Sequence, residues 1–412
     1  MLKKTKIRQA VILCGGLGSR LKNLTLTKPK PMINCQGKPF LFFVLRYLSS
    51  HGIKDFLLLT GYKSKKIESF FLNGKKWNWN ISYSEGEVSL DTGSRLLKAQ
   101  KQIQNNFVLL YSDNFIPINF SNYIDFYKKN YSKFCLISSK KKFGNLKVNN
   151  SDIKDFSYKR KKEFNSVDLG FWIINKKKFF LKKLKNYTKT SQFLNYFVKK
   201  NLFKSYDAPF YKSISDQIRL KKTRNFLKTK KIIFLDRDGI INIKAKKGEY
   251  IKHWKDFVLI EENILGLKKL SKAGYKFIII SNQAGVGRGL LTKKTLQNLD
   301  ANMKKKLDKL GINILSSYYC VHHWNKNCKC RKPNPGLFFK ASEEWNLRLD
   351  KTLYIGDDKR DCIASFNSNC KSVFIGKNND VKNINKKYKP LYVSTNINKV
   401  SSKIIKYMSS II

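Results

Sequence analysis

The chain has 412 residues, enough for two domains with a core each, and a formal net charge of +56 from 84 Lys and Arg against 28 Asp and Glu. The lysines are spread through both halves beside much Asn and Ile, and the aromatic residues form no stacking platform among them, so the charge does not mark a nucleic-acid partner. No apolar stretch nears the roughly 20 residues of a membrane span, no early segment has a signal-peptide pattern, and eight cysteines, three of them clustered, fit a reducing cytoplasm better than a disulfide framework.

In chain order, the first predicted strand is the apolar run Ala10-Val11-Ile12-Leu13, which leads into Cys14-Gly15-Gly16-Leu17-Gly18-Ser19-Arg20-Leu21. A glycine-rich turn after a first strand lets backbone N–H groups approach phosphates, and Arg20 adds charge. Lys28-Pro29-Lys30-Pro31-Met32 follows. A later strand-like run, Phe107 to Tyr111, ends in Ser112-Asp113, and Phe156-Ser157-Tyr158-Lys159 and Val167-Asp168-Leu169-Gly170-Phe171 come next. Together these resemble the sugar-1-phosphate nucleotidyltransferases, over a stretch reaching about Leu227. The resemblance implies that Gly15, Gly16, Gly18, Arg20 and Lys30 bind a triphosphate and that Asp113 holds Mg2+. It also implies that Lys159 contacts the sugar phosphate and that residues 167–171 face the sugar. Two departures stand out. Asp91, in Asp91-Thr92-Gly93-Ser94, replaces a glycine of the family. Ser213 stands where a second metal carboxylate belongs, with Asp216 nearby. A lost carboxylate weakens Mg2+ binding, so a domain that packs and binds sugar phosphate without turnover stays open.

Lys228-Thr229-Lys230-Lys231 is a short basic stretch that divides the chain into 1–228 and 229–412, without a long linker or internal repeat. Beyond it, Ile232-Ile233-Phe234-Leu235 reads as a buried parallel strand. The strand delivers Asp236-Arg237-Asp238-Gly239 to the loop at its carboxyl end, where open α/β sheets place ligand sites. Asp236 suits nucleophile and metal ligand, Asp238 general acid and base. A second run, Phe277 to Ile280, ends in Ser281-Asn282-Gln283, whose hydroxyl and amides suit phosphate oxygens, and then Gly285-Val286-Gly287-Arg288-Gly289. Cys320-x-His322 and Cys328-x-Cys330 close a tetrahedral Zn2+ set, with His323 as the alternative to His322. Zinc there braces the loop that presents Arg331 and Lys332, two cations suited to charge developing on a phosphoryl group. Leu353-Tyr354-Ile355 leads to Gly356-Asp357-Asp358 and Asp361, acids that with Asp236 suit an oxygen-ligated Mg2+.

The order nucleophile Asp, Ser, Lys, acid cluster resembles the haloacid dehalogenase superfamily of phosphatases over about Lys230 to Val393. The zinc loop and the glycine-rich turn are similar to those of the D-glycero-D-manno-heptose 1,7-bisphosphate 7-phosphatases; histidinol-phosphate phosphatases carry a similar loop, so their substrate class stays open. The resemblance implies an aspartyl-phosphate on Asp236, Mg2+ on Asp236, the Asp238 carbonyl and Asp357, Ser281 and Lys332 on the phosphoryl oxygens, and Arg331 on the substrate. The segment after Asn242, with Lys244, Lys246 and Lys247, faces the substrate or is a solvated loop.

The expected fold is therefore α/β: a Rossmann-like nucleotidyltransferase domain, then a Rossmannoid haloacid dehalogenase-like domain with no room for a large cap. The expected activity is removal of the 7-phosphate from a heptose 1,7-bisphosphate, in nucleotide-heptose synthesis for cell-surface polysaccharide such as lipopolysaccharide. The first half, if active, joins the heptose 1-phosphate to a nucleotide; resemblance to the guanylyltransferase type implies GTP.

Overall fold

A computed structural model describes residues 7–21, 23–180, 186–246 and 248–411. The chain divides into two compact units, one of Met1–Ile116 with Phe120–Leu227, the other of Lys228–Ile412 with Pro117–Asn119. Both are mixed α/β, and among the described residues no helix is long and apolar enough to cross a membrane.

Among the described residues, the main sheet of the first unit has nine strands: β1 (Gln9–Leu13), β2 (Asp55–Thr60), β3 (Asn80–Glu85), β4 (Asn106–Tyr111), β5 (Phe134–Lys140), β6 (Gly144–Asn149), β7 (Asp152–Lys161), β8 (Ser166–Asn175) and β9 (Phe203–Asp207). Their order in the sheet is β3-β2-β1-β4-β8-β5-β9-β7-β6. The first four run parallel, whereas β8 is antiparallel to β4 and β5. Leu13 lies opposite both Leu59 and Tyr111. The glycine-rich turn and Asp113 therefore leave the sheet at one edge, because adjacent parallel strands end together. All five residues of β1 are buried, the pattern of a parallel strand covered on both faces. Helices α1 (Phe40–Ser50), α2 (Thr92–Lys98) and α3 (Thr190–Lys199) belong to this unit.

The second unit has six parallel strands: β10 (Ile232–Leu235), β11 (Lys276–Asn282), β12 (Ile314–Cys320), β13 (Leu353–Gly356), β14 (Lys371–Ile375) and β15 (Tyr392–Ser394). Their order is β12-β11-β10-β13-β14-β15. Alternation along β10 explains its apolar run. Ile232 and Phe234 face one core with Ile278, Ile280 and Tyr354, while Ile233 and Leu235 face the other with Ile279 and Ile355. Each such side chain, fully buried, stabilises by roughly 1.5–3 kcal/mol. Leu235 pairs with Ile279 and Ile355, so three strand ends carry their polar residues to one edge. Helices α4 (Glu261–Lys272), α5 (Lys293–Lys309), α6 (Gly336–Trp345), α7 (Lys359–Asn367) and α8 (Ile397–Ile411) complete it. Among the described residues, the segment from β10 to α4 carries turns and one 3-10 turn, Trp254–Asp256, in place of an inserted domain.

Buried Asn263 ties α4 into this unit: its Oδ1 accepts from Ile397 N (2.9 Å) and its Nδ2 donates to Ile240 O (2.9 Å). One turn on, Gly266 lets α8 approach closely, since a Cβ there would lie 2.5 Å from Asn398 N. Gly266→Ala is therefore expected to destabilise the second unit by about 1–3 kcal/mol despite the better helix propensity of alanine. Thermal unfolding checks this; an unchanged or raised midpoint would contradict the packing.

Candidate functional site

In the second unit, the end of β10 places Asp236 beside β13, where its N–H donates to Ile355 O (2.9 Å). Its carboxylate accepts from Lys332 Nζ at 2.7 Å. Lys332 is 3% exposed, and its two other donors go to Asp361 Oδ1 (2.8 Å) and Tyr354 Oη (2.6 Å). Burial opposes the charge on Lys332, yet Asp236 and Asp361 hold its pKa above the ordinary lysine range. Tyr354 donates its own O–H to Ile280 O (2.9 Å), which turns a lone pair to the lysine. Asp361 Oδ2 accepts the backbone N–H groups of Asp357 and Asp358 (3.1 and 3.0 Å), so the turn after β13 folds around it.

Asp236, Asp357 and Asp361 each offer a ligand atom within 4.8 Å of the others. These three acids face two cations, Lys332 and Lys244, whose Nζ reaches Asp357 Oδ2 at 2.6 Å. Burial pushes the Asp357 carboxyl up to about 7, against the pull of Lys244, and Asp357 Oδ1 is buried without a hydrogen-bond partner. An orphaned acceptor in an over-acidic oxygen cluster fits a hard divalent cation such as Mg2+. Gly239 follows at φ +83°, and a Cβ there would fall 1.8 Å from Asp357 Oδ2, so only glycine leaves this space open.

Asp238 is turned to another set of partners. Arg237 donates to both its oxygens (Nη2 at 3.0 and 3.0 Å, Nε at 3.1 Å), Asn242 Nδ2 to Oδ1 (2.9 Å) and Gln283 Nε2 to Oδ2 (2.7 Å). Arg237 is 1% exposed and lies 5.9 Å from the rings of Phe257 and Tyr319. Ser281 is buried at the end of β11 and accepts from Gln283 Nε2 (3.4 Å). Asn282 braces the cation-bearing loop instead: its amide exchanges hydrogen bonds with the backbone of Lys332 (3.1 and 3.0 Å). The site thus brings together Asp236, Lys332 and Asp357, with Ser281 on the neighbouring strand, while Asn282 and Gln283 act on other protein groups. Arg331 lines the adjoining cavity with Lys332, and its Nη1 is buried without a partner. Lys247 lies outside the described residues.

The zinc-type residues also converge. Cys320 Sγ is 3.8 Å from His322 Nδ1, 3.7 Å from Cys328 Sγ and 3.4 Å from Cys330 Sγ; Cys330 Sγ is 3.1 Å from His322 Nδ1 and 3.5 Å from Cys328 Sγ. Tetrahedral bonds of about 2.3 Å put ligand atoms roughly 3.8 Å apart, so this cluster fits such a cation with little adjustment. His322, not His323, belongs to it.

In the first unit, the glycine-rich turn lies against Arg95, a buried residue to which sequence gave no role. Its guanidinium donates to the carbonyls of Thr60, Gly86, Glu87 and Val88, and a Cβ on Gly15 would lie 2.4 Å from it. Gly18 has φ +67°, and Gly16 has nothing within 4 Å of its Cβ position. Lys30 Nζ binds Asp113 Oδ2 at 2.6 Å. Arg20 and Lys159 are exposed. Ser213 pairs across a two-residue ribbon with Asn114, next to Asp113. Asp216 is occupied with Arg219, accepting its N–H (2.8 Å) and its guanidinium (3.3 Å). Among the described residues, no three acid, His or Cys ligands gather here. The close backbone approach in the Asp91 segment falls on Gly93, whose N–H donates to Thr188 O at 2.6 Å.

A family model described as nucleotidyl transferase matches residues 9–256, more than half of the chain. The chain belongs to the nucleotidyl transferase family. A model described as polynucleotide kinase 3 phosphatase matches residues 231–402 of this nucleotidyl transferase family member. It is 39% identical over 156 residues to a D-glycero-beta-D-manno-heptose-1,7-bisphosphate 7-phosphatase of Helicobacter pylori, covering 37% of this chain and 88% of that protein; this places its second part in that phosphatase family. It is 30% identical over 192 residues to a glucose-1-phosphate cytidylyltransferase of Salmonella typhimurium, covering 40% and 75%. A solved D,D-heptose 1.7-bisphosphate phosphatase from B. bronchiseptica, complexed with magnesium and phosphate, is 23% identical with a TM-score of 0.40, covering 43% of this chain and 99% of that one.

Asp168 gives the nucleotidyl transferase unit a pH dependence. Burial pushes its carboxyl up to about 6, although Trp172 Nε1 and Gly170 N both donate to it at 2.9 Å. The folded unit therefore holds the Asp168 proton more tightly than the unfolded chain, and this residue's contribution to stability falls as pH rises from about 4 to 6. Asp168→Asn, which cannot ionise, is expected to gain roughly 1–3 kcal/mol on the wild type between pH 4 and pH 7. Unfolding midpoints across that range check it; a pH-independent gap would contradict it.

Proposed function

We propose that the second unit is a haloacid dehalogenase-type phosphatase that removes the 7-phosphate of a D-glycero-D-manno-heptose 1,7-bisphosphate. The observation that carries the reading is the meeting of Asp236 and Asp357, at adjacent strand ends, with the loop residue Lys332, beside the strand that ends in Ser281, together with relatedness to a heptose-1,7-bisphosphate 7-phosphatase over most of that protein's length.

In this reading Asp236 attacks phosphorus in line with the departing sugar oxygen, and the P–O bond to the sugar breaks as the aspartyl–phosphate bond forms. Asp238, once released from Arg237 and Gln283 and protonated from solvent, gives that proton to the leaving oxygen. It then takes one from the water that attacks the aspartyl-phosphate, which returns free Asp236 and inorganic phosphate. Esterification removes the charge of Asp236, so the Lys332 ammonium is freed to follow the phosphoryl oxygens. Ser281 adds a hydroxyl donor, and the orphaned Arg331 Nη1 supplies a cation for the second phosphate. A magnesium ion held by Asp236, Asp357 and the Asp238 carbonyl would neutralise phosphoryl charge during transfer. A zinc ion held by Cys320, His322, Cys328 and Cys330 would brace the loop bearing Arg331 and Lys332 without entering the chemistry.

The first unit would then couple the heptose 1-phosphate to a nucleotide, with GTP as the expected donor, for nucleotide-heptose used in cell-surface polysaccharide such as lipopolysaccharide. Gly15, Gly16, Gly18, Arg20 and Lys30 would hold the triphosphate, Asp113 the Mg2+ and Lys159 the sugar phosphate. With Ser213 in place of a carboxylate, Asp113 is the remaining acid for that metal, so this step would be slow. Free thiols throughout support a cytoplasmic site of action.

Incubating the full chain with heptose 1,7-bisphosphate, Mg2+ and GTP reads both units. Phosphate and heptose 1-phosphate are the expected products of the second, nucleotide-heptose and pyrophosphate of the first. Faster phosphate release from histidinol phosphate would defeat the sugar reading. Asp236→Asn should reduce phosphate release at least about 1000-fold with the fold intact; substantial remaining turnover would defeat the aspartyl-phosphate. For the metal loop, Cys328→Ser should lose bound zinc and lower the thermal midpoint of the second unit. Unchanged metal content in elemental analysis would dismiss the zinc assignment.

A further inference from the structure

One large exposed aromatic of the second unit has no part in the chemistry above. Trp324 is 52% exposed, and it walls a cavity of about 480 Å³ that also reaches Arg331, Lys332, Asn334 and Arg360. That volume lies at the small end of ligand pockets. Lys332 ties its floor to Asp236, and the cations around it call for an anionic ligand. An indole left half open at such a rim is an apolar surface waiting for a partner.

The ring is also held in place. The Arg288 guanidinium lies 4.5 Å from the Trp324 ring and 5.9 Å from Tyr250, and its Nη1 donates to Gly248 O (3.1 Å). Gly287 makes this possible: a Cβ there would lie 2.4 Å from His323 N, so the Arg288 loop lies directly against the backbone that carries Trp324. A cation over one face of an indole attracts the ring and fixes its plane. Three loops are thereby tied to one aromatic, the His323 ring packs 4.6 Å from it at a tilt of 43°, and the half-exposed indole lines the cavity.

We propose that Trp324 is the sugar-binding platform of this site, stacking on the C–H face of the substrate ring while Arg331 takes its second phosphate, and that Arg288 is the positioning residue that orients the indole. The inference rests on the sugar-bisphosphate reading above and deepens it by assigning a specificity-determining residue.

Steady-state kinetics of the full chain on heptose 1,7-bisphosphate and on acetyl phosphate, which has no ring to stack, test it. Trp324→Ala should raise KM for the sugar bisphosphate about tenfold, and the ratio of kcat/KM for the sugar to that for acetyl phosphate should fall about as far. Trp324→Phe should keep that ratio within about threefold of wild type, and Arg288→Ala should lie between the two. An unchanged ratio in Trp324→Ala, or equal losses in Ala and Phe variants, would overturn the proposal. So would equal loss on both substrates, which marks a damaged loop. Wild type that hydrolyses acetyl phosphate but not the sugar bisphosphate would defeat the substrate reading itself, and this inference with it.

Discussion

The buried ammonium of Lys332, shared between Asp236 and Asp361, is the interaction on which the phosphatase unit depends. A buried charge is tolerated only with partners that replace its hydration, and here all three N–H donors are taken: two carboxylates and Tyr354. The pairing does two jobs. It sets a cation against Asp236 next to two other acids, and in the proposed mechanism that cation stands where phosphoryl charge develops. In the proposed mechanism this lysine, fully satisfied at rest, is freed when Asp236 is esterified. Three acids against two cations leave the cluster acid-rich, which suits a divalent cation.

The first unit uses a smaller version of this arrangement. Lys30 binds Asp113 at 2.6 Å, one cation to one carboxylate. Ser213 supplies no second acid, and Asp216 is held by Arg219. The glycine-rich turn is instead backed by Arg95, whose guanidinium ties four carbonyls beneath it. The two units therefore differ in charge balance: the second is over-acidic and calls for a metal, the first is closer to neutral.

Much of this was legible in the sequence. Buried parallel strands are short apolar runs, so β1, β4, β10, β11 and β13 announce themselves, and the residue after such a run is placed by the strand itself. That is why the placing of Asp236, Asp113, Ser281 and Asp357 at or just beyond strand ends follows from the sequence. The Cys and His spacing of the zinc loop is equally local, although choosing His322 over His323 required coordinates. Contacts made across long separations were not legible. Gln283 and Asn282 read as phosphate-facing amides, yet one holds Asp238 and the other the Lys332 backbone. Tyr354 looks like an ordinary core residue of an apolar strand, Arg95 like one more surface cation, and Arg237 like a spacer between two aspartates. In each case the deciding partner is brought near only by the fold. The β6–β7 hairpin, rich in Lys and Asn, gave no apolar signal for the same reason.

The account stands on a covalent link between substrate phosphorus and the side chain of residue 236. Acid-quenching the wild-type chain during turnover of labelled heptose 1,7-bisphosphate, followed by peptide mass spectrometry, tests that link directly. The account predicts a base-labile phosphoryl group on the peptide bearing Asp236. Label on a different residue, or none on the protein while phosphate is being released, would contradict it.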